Sequence, residues 1–160
     1  GNQTIAVKGD EIIHARVVSS NNKLYPVTQF DTARQVVTNL PCFGSSYLPE
    51  NVLNDALESY FWNGAFPKKG QYFKIVYFHT RDVKAIVLDC GIKDDGQDWS
   101  YFKNAVLEIS HDGRKFYKIA TLNTPKLHLT GDWKGVKAVR ARILQSQESD
   151  WLRINLFHIL

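Results

Sequence analysis

Short apolar stretches, alternating or doubled, run along this chain between clusters of Gly, Asn, Asp and Pro, and almost nothing sustains the 3.6-residue period of a helix. Segments rich in β-branched and aromatic residues predict strands over 72–78, 83–90, 105–110, 116–122, 136–144 and 152–160. They nearly fill the second half of the chain and argue for an all-β sandwich. Ser110-His111-Asp112-Gly113-Arg114 separates two of them, and its Asp-Gly step supplies the positive-φ position of a tight hairpin turn. One short helix is predicted over 50–57, with Pro49 as a first-turn residue and Val52, Leu53, Ala56 and Leu57 on one side.

The first 40 residues differ in character. Ser19-Ser20-Asn21-Asn22 and the Tyr25-Pro26 step interrupt two short apolar stretches, 12–18 and 34–37. Residues 1–40 are therefore read as an N-terminal extension, either a linker or an extra strand packing on a sandwich formed by residues 41–160.

Length adds that 160 residues hold one substantial core, which needs neither disulfides nor a metal to fold. Four Trp, seven Tyr and nine Phe favour strands and stacking surfaces over a helical bundle. A net charge of +4 is scattered, its basic residues adjacent only as the pairs Lys68-Lys69 and Arg114-Lys115, so the electrostatic footprint of a nucleic-acid binder is missing. No run approaches the roughly 20 apolar residues of a membrane-spanning helix. A chain that opens on Gly1 and contains no Met is read as a piece of a longer protein. Cys42 and Cys90 are too few for a disulfide framework, Cys90 lies in an apolar run, and the redox compartment stays open.

Catalytic signatures are absent. The five histidines are dispersed without metal-ligand spacing, and no nucleophile elbow, phosphate loop or dinucleotide fingerprint occurs. Asp94 and Asp95 are adjacent loop acids without the apolar setting that glycosidase carboxyls use, so a binding function is expected rather than catalysis.

Four stretches then carry a family resemblance, in order: Asn54-Asp55-Ala56-Leu57-Glu58-Ser59-Tyr60-Phe61-Trp62, the segment from Ala105 to Phe116 with its Asp112-Gly113 turn, Ala138-Val139-Arg140-Ala141-Arg142, and Trp151-Leu152-Arg153-Ile154. Over about residues 40–160 the chain resembles the discoidin, or coagulation factor five/eight type C, domains. Within that group it is most similar to the family 32 carbohydrate-binding modules appended to bacterial hexosaminidases, chitobiases and hyaluronidases. The resemblance implies a galactose-binding-like jelly-roll sandwich of about eight strands, with binding loops gathered at one end. It further implies a secreted, periplasmic or cell-surface monomer that binds a glycan, terminal galactose or N-acetylhexosamine, beside the catalytic domain of a parent glycosidase. Many such modules hold calcium. Asp55 and Ser59 match that loop, but Ala56 replaces the usual Gly and Leu156 stands where an acidic ligand belongs, so calcium is not expected.

The loops placed together by the resemblance are 43–48, 62–69, 92–101 and 145–150. A sugar offers flat C–H faces ringed by hydroxyls, and calls for an aromatic platform flanked by charged or amide groups. Lys93, Gln97, Asp98, Trp99 and Tyr101 meet that need best, with Asn63 and Lys68 as donors from the neighbouring loop and Trp62, Tyr47 or Phe43 as a second wall. Trp99 is the platform of choice, the alternative being an indole folded down over its own loop. Trp151 reads as core, Trp62 as core or half-buried packing and Trp133 as a turn anchor elsewhere. Two other functions stay open: a discoidin-type adhesion surface for membrane or protein, using Phe43, Tyr47 and Phe66-Pro67-Lys68-Lys69 against the opposing charge of Asp94, Asp95 and Asp98, and an architectural domain docked on its parent enzyme.

Overall fold

Tyr72–Cys90 forms one 19-residue strand, β5, and its alternation shows why it belongs to two layers. Phe73, Ile75 and Tyr77 turn inward in its first half and Ile86, Leu88 and Cys90 in its second, while residues 78–82 between them are exposed or half-buried. The computed structural model describes residues 2–8, 11–16, 33–53 and 59–160, with side chains for 33–53 and 59–160. Lys126–Ile143, here β10, runs antiparallel to β5 from Tyr72↔Arg142 to Asp89↔Lys126, and register shifts between Thr130 and Ala138 let both strands bend together. The predicted strands 72–78 and 83–90 are thus one bent strand, and 136–144 is the far half of another.

Around the first half of β5 stand β3 (Arg34–Thr38), the second half of β10, β8 (Ala105–Ser110) and β9 (Phe116–Leu122). Around its second half stand β11 (Arg153–Ile159) and, beyond it, β4 (Phe61–Trp62). The core lies between these layers, where the Phe73 and Phe157 rings stack across the gap at 6.1 Å. Strands β1 (Asn2–Lys8) and β2 (Glu11–Arg16) pair with each other and continue the first sheet past β3. Residues 17 and 18, at the end of the predicted 12–18 stretch, lie outside the described residues. A separate hairpin, β6 (Ile92–Asp94) and β7 (Gln97–Trp99), completes eleven strands among the described residues.

Over the described part of the predicted helix, residues 50–53, the chain forms a 3-10 turn, Pro49–Leu53. Asn51 ties the turn down on both sides: its N–H donates to the Leu48 carbonyl and its amide to the carbonyls of Ser46 and Tyr60, each at 3.0 Å. Residues 54–58 lie outside the described residues. The β8–β9 hairpin matches expectation, with Gly113 at φ 82° and the Asp112 carboxylate accepting from the N–H groups of Arg114 and Lys115. Those bonds hold the Asp112 carboxyl down at about 2. Cys42 and Cys90 are both free thiols, one exposed and one buried, and burial pushes the Cys90 thiol well up. Trp133 is half-buried against the core, its ring lying over Gly131.

Candidate ligand-binding site

Chain direction sets the two ends of the sandwich. Ala33 and Leu160 bond to Phe78 and Ala85, flanking the bend of β5, which leaves the opposite end to loops. There the backbone knits the loops to one another. Asn63 donates to Leu152 at 3.0 Å, Gly91 to Arg153 at 2.8 Å, Arg153 to Ser100 at 2.9 Å and Gln147 to Pro67 at 2.8 Å. The loops that the sequence nominated therefore share one rim.

The β6–β7 hairpin projects from that rim. Asp95 at φ 48° and Gly96 at φ 75° form its two-residue turn, the mirror-image type that suits strand twist. Register Ile92↔Trp99, Lys93↔Asp98 and Asp94↔Gln97 sorts the side chains. Because successive residues alternate, Ile92, Asp94, Gln97 and Trp99 share one face, and Lys93 and Asp98 the other. Trp99 and Ile92 are each 43% exposed.

The stem of the hairpin is held tightly. Gly91, at φ 81°, lies so close beneath Trp99 that a Cβ there would stand 2.1 Å from the Trp99 carbonyl oxygen. Ser100 follows at φ 62°, a left-handed conformation costly for a side-chain residue. Asp150, itself at φ 81°, stabilises it by accepting from the Ser100 N–H and hydroxyl and from the Trp151 N–H. Lys103 approaches the same carboxylate at 3.4 Å.

Behind the hairpin, on the Lys93 and Asp98 side, lies an open cleft of about 690 Å³. Its far wall is Thr124, Pro125 and Lys126, and its floor Asp89 and Gly91. Sequence reasoning missed this wall because it comes from the β9–β10 connection, distant in the chain; the Thr-Pro step was its one visible signal.

A second aromatic surface occupies the same rim. Phe43 packs against Tyr47, Trp62 and Trp151 at 5.1–5.7 Å, Trp62 against Trp151 at 5.0 Å, and Tyr47 against Tyr60 at 5.3 Å. Arg153 lays its guanidinium 3.6 Å over the Tyr60 ring. Trp151, expected in the core, is instead a half-buried member of this cluster, because the turn at Asp150 brings the chain onto the rim before β11 begins. Trp62 is half-buried as expected, and its indole N–H has no hydrogen-bond partner.

Other nominated residues fall in different places. Asn63 is a buried tie, not a rim donor: its Oδ1 accepts from Leu152 at 2.8 Å and from Ala65 at 3.3 Å, and only its unpartnered Nδ2 is left over. Tyr101 is half-buried against the core under Lys103. Lys68 is exposed beside Phe66, which is 47% exposed. Of the calcium candidates, Asp55 lies outside the described residues and Ser59 donates its hydroxyl to the Asn51 carbonyl at 3.4 Å. The described residues contain no group of three or more His, Cys, Asp or Glu placed to hold a metal.

No protein-family model and no curated protein matches the sequence. Solved structures do match it in fold. CBM32-1 from a family 31 glycoside hydrolase of Clostridium perfringens superimposes with a TM-score of 0.63 at 14% identity, covering 81% of this chain and 94% of that one. CpGH89CBM32-5 from Clostridium perfringens, in complex with GalNAc-β-1,3-galactose, gives 0.61 at 12% identity over 79% and 94%. Chitosan-binding module 1 of a chitosanase/glucanase from Paenibacillus sp. IK-5 gives 0.62 at 11% identity over 81% and 95%. The β-sandwich with its gathered rim is thus the jelly-roll fold of discoidin-like, family 32 carbohydrate-binding modules.

Proposed function

We propose that this chain is a non-catalytic carbohydrate-binding module that holds terminal galactose or N-acetylhexosamine on the Trp99 face of its β6–β7 hairpin. The observation carrying this reading is an indole 43% exposed on a rigid hairpin, with Gln97 and Asp94 on the same face to meet ring hydroxyls. A pyranose stacks its C–H face on such a ring while the amide and carboxylate take up the hydroxyls at its edge. The fold relatives, two of them parts of glycoside hydrolases by name and one bound to a disaccharide, support the same class. On this reading the module serves a larger secreted hexosaminidase-like or chitobiase-like enzyme. Its three hairpin acids are exposed on a projecting turn, a setting for hydrogen bonding rather than bond cleavage.

A second reading rests on Phe43 and Phe66, 52% and 47% exposed, near Lys68 and Lys69, an arrangement that suits an anionic membrane surface. NMR titration with galactose, N-acetylglucosamine and N-acetylgalactosamine, run beside sedimentation with anionic vesicles, separates the two. Sugar binding at high micromolar to millimolar Kd with shifts centred on Trp99 supports the module, as a shallow site covers little ligand surface. Salt-sensitive vesicle binding without sugar shifts supports the membrane instead.

A further inference from the structure

Ser100 follows Trp99 directly, at the foot of β7, and holds φ 62°, a left-handed conformation that a residue with a Cβ keeps only where its surroundings impose it. One side chain imposes it here. Asp150 Oδ2 accepts from the Ser100 N–H, and Oδ1 from the Ser100 hydroxyl and the Trp151 N–H, these last two at 3.0 Å. The Asp150 side chain is only 8% exposed, with the Lys103 ammonium 3.4 Å away. Three donors and one cation converge on a carboxylate with little surface left for a ligand, so it acts on the chain rather than on a partner. The same loop supplies a second brace. Gln147, also buried, accepts the Lys103 N–H on its Oε1 at 3.1 Å and donates its amide to the Tyr101 carbonyl at 3.4 Å. Within loop 145–150 these two side chains turn inward, while residues 145, 146, 148 and 149 are exposed. A loop expected to offer ligand contacts thus reaches across the rim to fasten the segment that follows the platform.

We propose that Asp150 is the positioning residue of the sugar site: its carboxylate fixes the Ser100 backbone, which sets the direction in which the hairpin leaves the rim and hence where the Trp99 indole stands. The proposal rests on the Trp99 reading and adds to it a residue that acts without touching sugar. A platform ordered before the ligand arrives spares binding the cost of ordering it, so a loosened joint appears as lost affinity although no sugar contact is removed.

Asp150→Asn is the discriminating change. Asparagine keeps the shape and accepts φ 81° as readily as aspartate does. Whichever way its amide turns, however, the NH2 group faces a backbone N–H, that of Ser100 or that of Trp151. NMR titration of the intact chain with N-acetylglucosamine and galactose should show affinity reduced roughly fivefold or more for the sugar that wild-type protein binds. In the same samples 15N relaxation should report greater motion of the amides of residues 92–99 and the Trp99 indole resonance should move, while the amides of β8 and β9 keep their wild-type values. Ser100→Ala removes the hydroxyl bond alone and should give a smaller change in both readouts; where Asp150→Asn fails to fold, unchanged readouts in Ser100→Ala overturn the proposal. Wild-type affinity in the asparagine variant also overturns it. So does lost affinity with an unchanged hairpin, which marks Asp150 as a ligand contact. A wild-type chain that binds neither sugar overturns the Trp99 reading instead, and hairpin order alone then decides whether Asp150 positions the indole.

Discussion

Truncating Trp99 to alanine isolates the platform from the scaffold. An indole side chain carries up to about 250 Å², so at 43% exposure Trp99 leaves roughly 100 Å² open to solvent. A stacked pyranose covers about half of that and loses a similar area of its own, so about 100 Å² leaves water and contributes on the order of 2.5 kcal/mol at 25 cal/mol per Å². The expected loss is therefore about 50-fold or more in affinity, which carries a millimolar ligand beyond detection. Stability should change less. Trp99 takes part in no ring pair among the described residues, and with about half of its surface covered its truncation should cost about 1 kcal/mol, or roughly 2–4 °C in Tm for a chain this size. Calorimetric titration beside a thermal melt checks both numbers. Sugar affinity reduced less than about threefold, or a Tm lowered by more than about 5 °C, refutes the reasoning and marks the ring as packing.

Gly91→Ala places a Cβ against the Trp99 carbonyl and forces a left-handed alanine, whereas Gly96→Ala carries only the second burden because nothing lies within 4 Å of its Cβ. The first should cost more than about 2 kcal/mol and weaken sugar binding by displacing the hairpin, and the second about 1 kcal/mol; equal costs in denaturant melts contradict the close approach. Glu108→Gln tests the outer face of the first sheet, where the carboxylate, with only 6% of its side chain exposed, accepts from Arg140 at 3.0 Å and Arg142 at 2.9 Å. Burial alone would raise its pKa, but hydrogen bonds from Arg142 and Arg140 outweigh burial and hold it below the ordinary 4.5. Its contribution is therefore complete above the unfolded value and fades as pH falls through the lower folded one. The variant should lose about 1–3 kcal/mol near neutrality and show a flatter stability curve at acid pH, and a curve as steep as wild type's counts against the assignment.

Where local chemistry decided the outcome, the sequence was a good guide. Residues 105–110 and 116–122 alternate or run apolar, and Asp112-Gly113 supplies its own turn, so β8, β9 and their connection were legible. The bend of β5 was not. His79, Thr80 and Asp82 are exposed and read as a loop, yet Arg81 and Val83 keep their pairing to β10 through the bend. Trp151 misled for a related reason: the apolar strand after it suggested core, while the left-handed Asp150 before it redirects the chain to the rim. The two-faced hairpin was hidden because 93–101 reads as one polar loop. Only the pairing of Asp94 with Gln97 across Asp95-Gly96 separates Trp99 from Lys93 and Asp98.

Two aromatic surfaces share the rim, and energetics sorts their roles. In the Phe43–Tyr47–Trp62–Trp151 cluster each ring lies against at least two others, and contacts of this kind are worth about 0.5–1.5 kcal/mol apiece beyond the area they bury. Those rings already have partners, and the loops they join, 43–47, 62 and 151, are the ones that must be held in register for a rim to exist. A ligand stacking inside the cluster would have to displace a ring contact of similar worth, for little net gain. Trp99 stands in the opposite position. Its backbone is clamped by Gly91 beneath and by the Asp150–Ser100 bonds beside it, while its ring keeps its surface for something outside the chain. Immobilising the main chain in advance removes much of the ordering cost of binding, and leaving nearly half of Trp99 open to solvent keeps that apolar gain for the partner. The cluster is therefore the support of the rim and the hairpin its contact surface, which is why substitutions in the first should appear in melting curves and substitutions in the second in titrations.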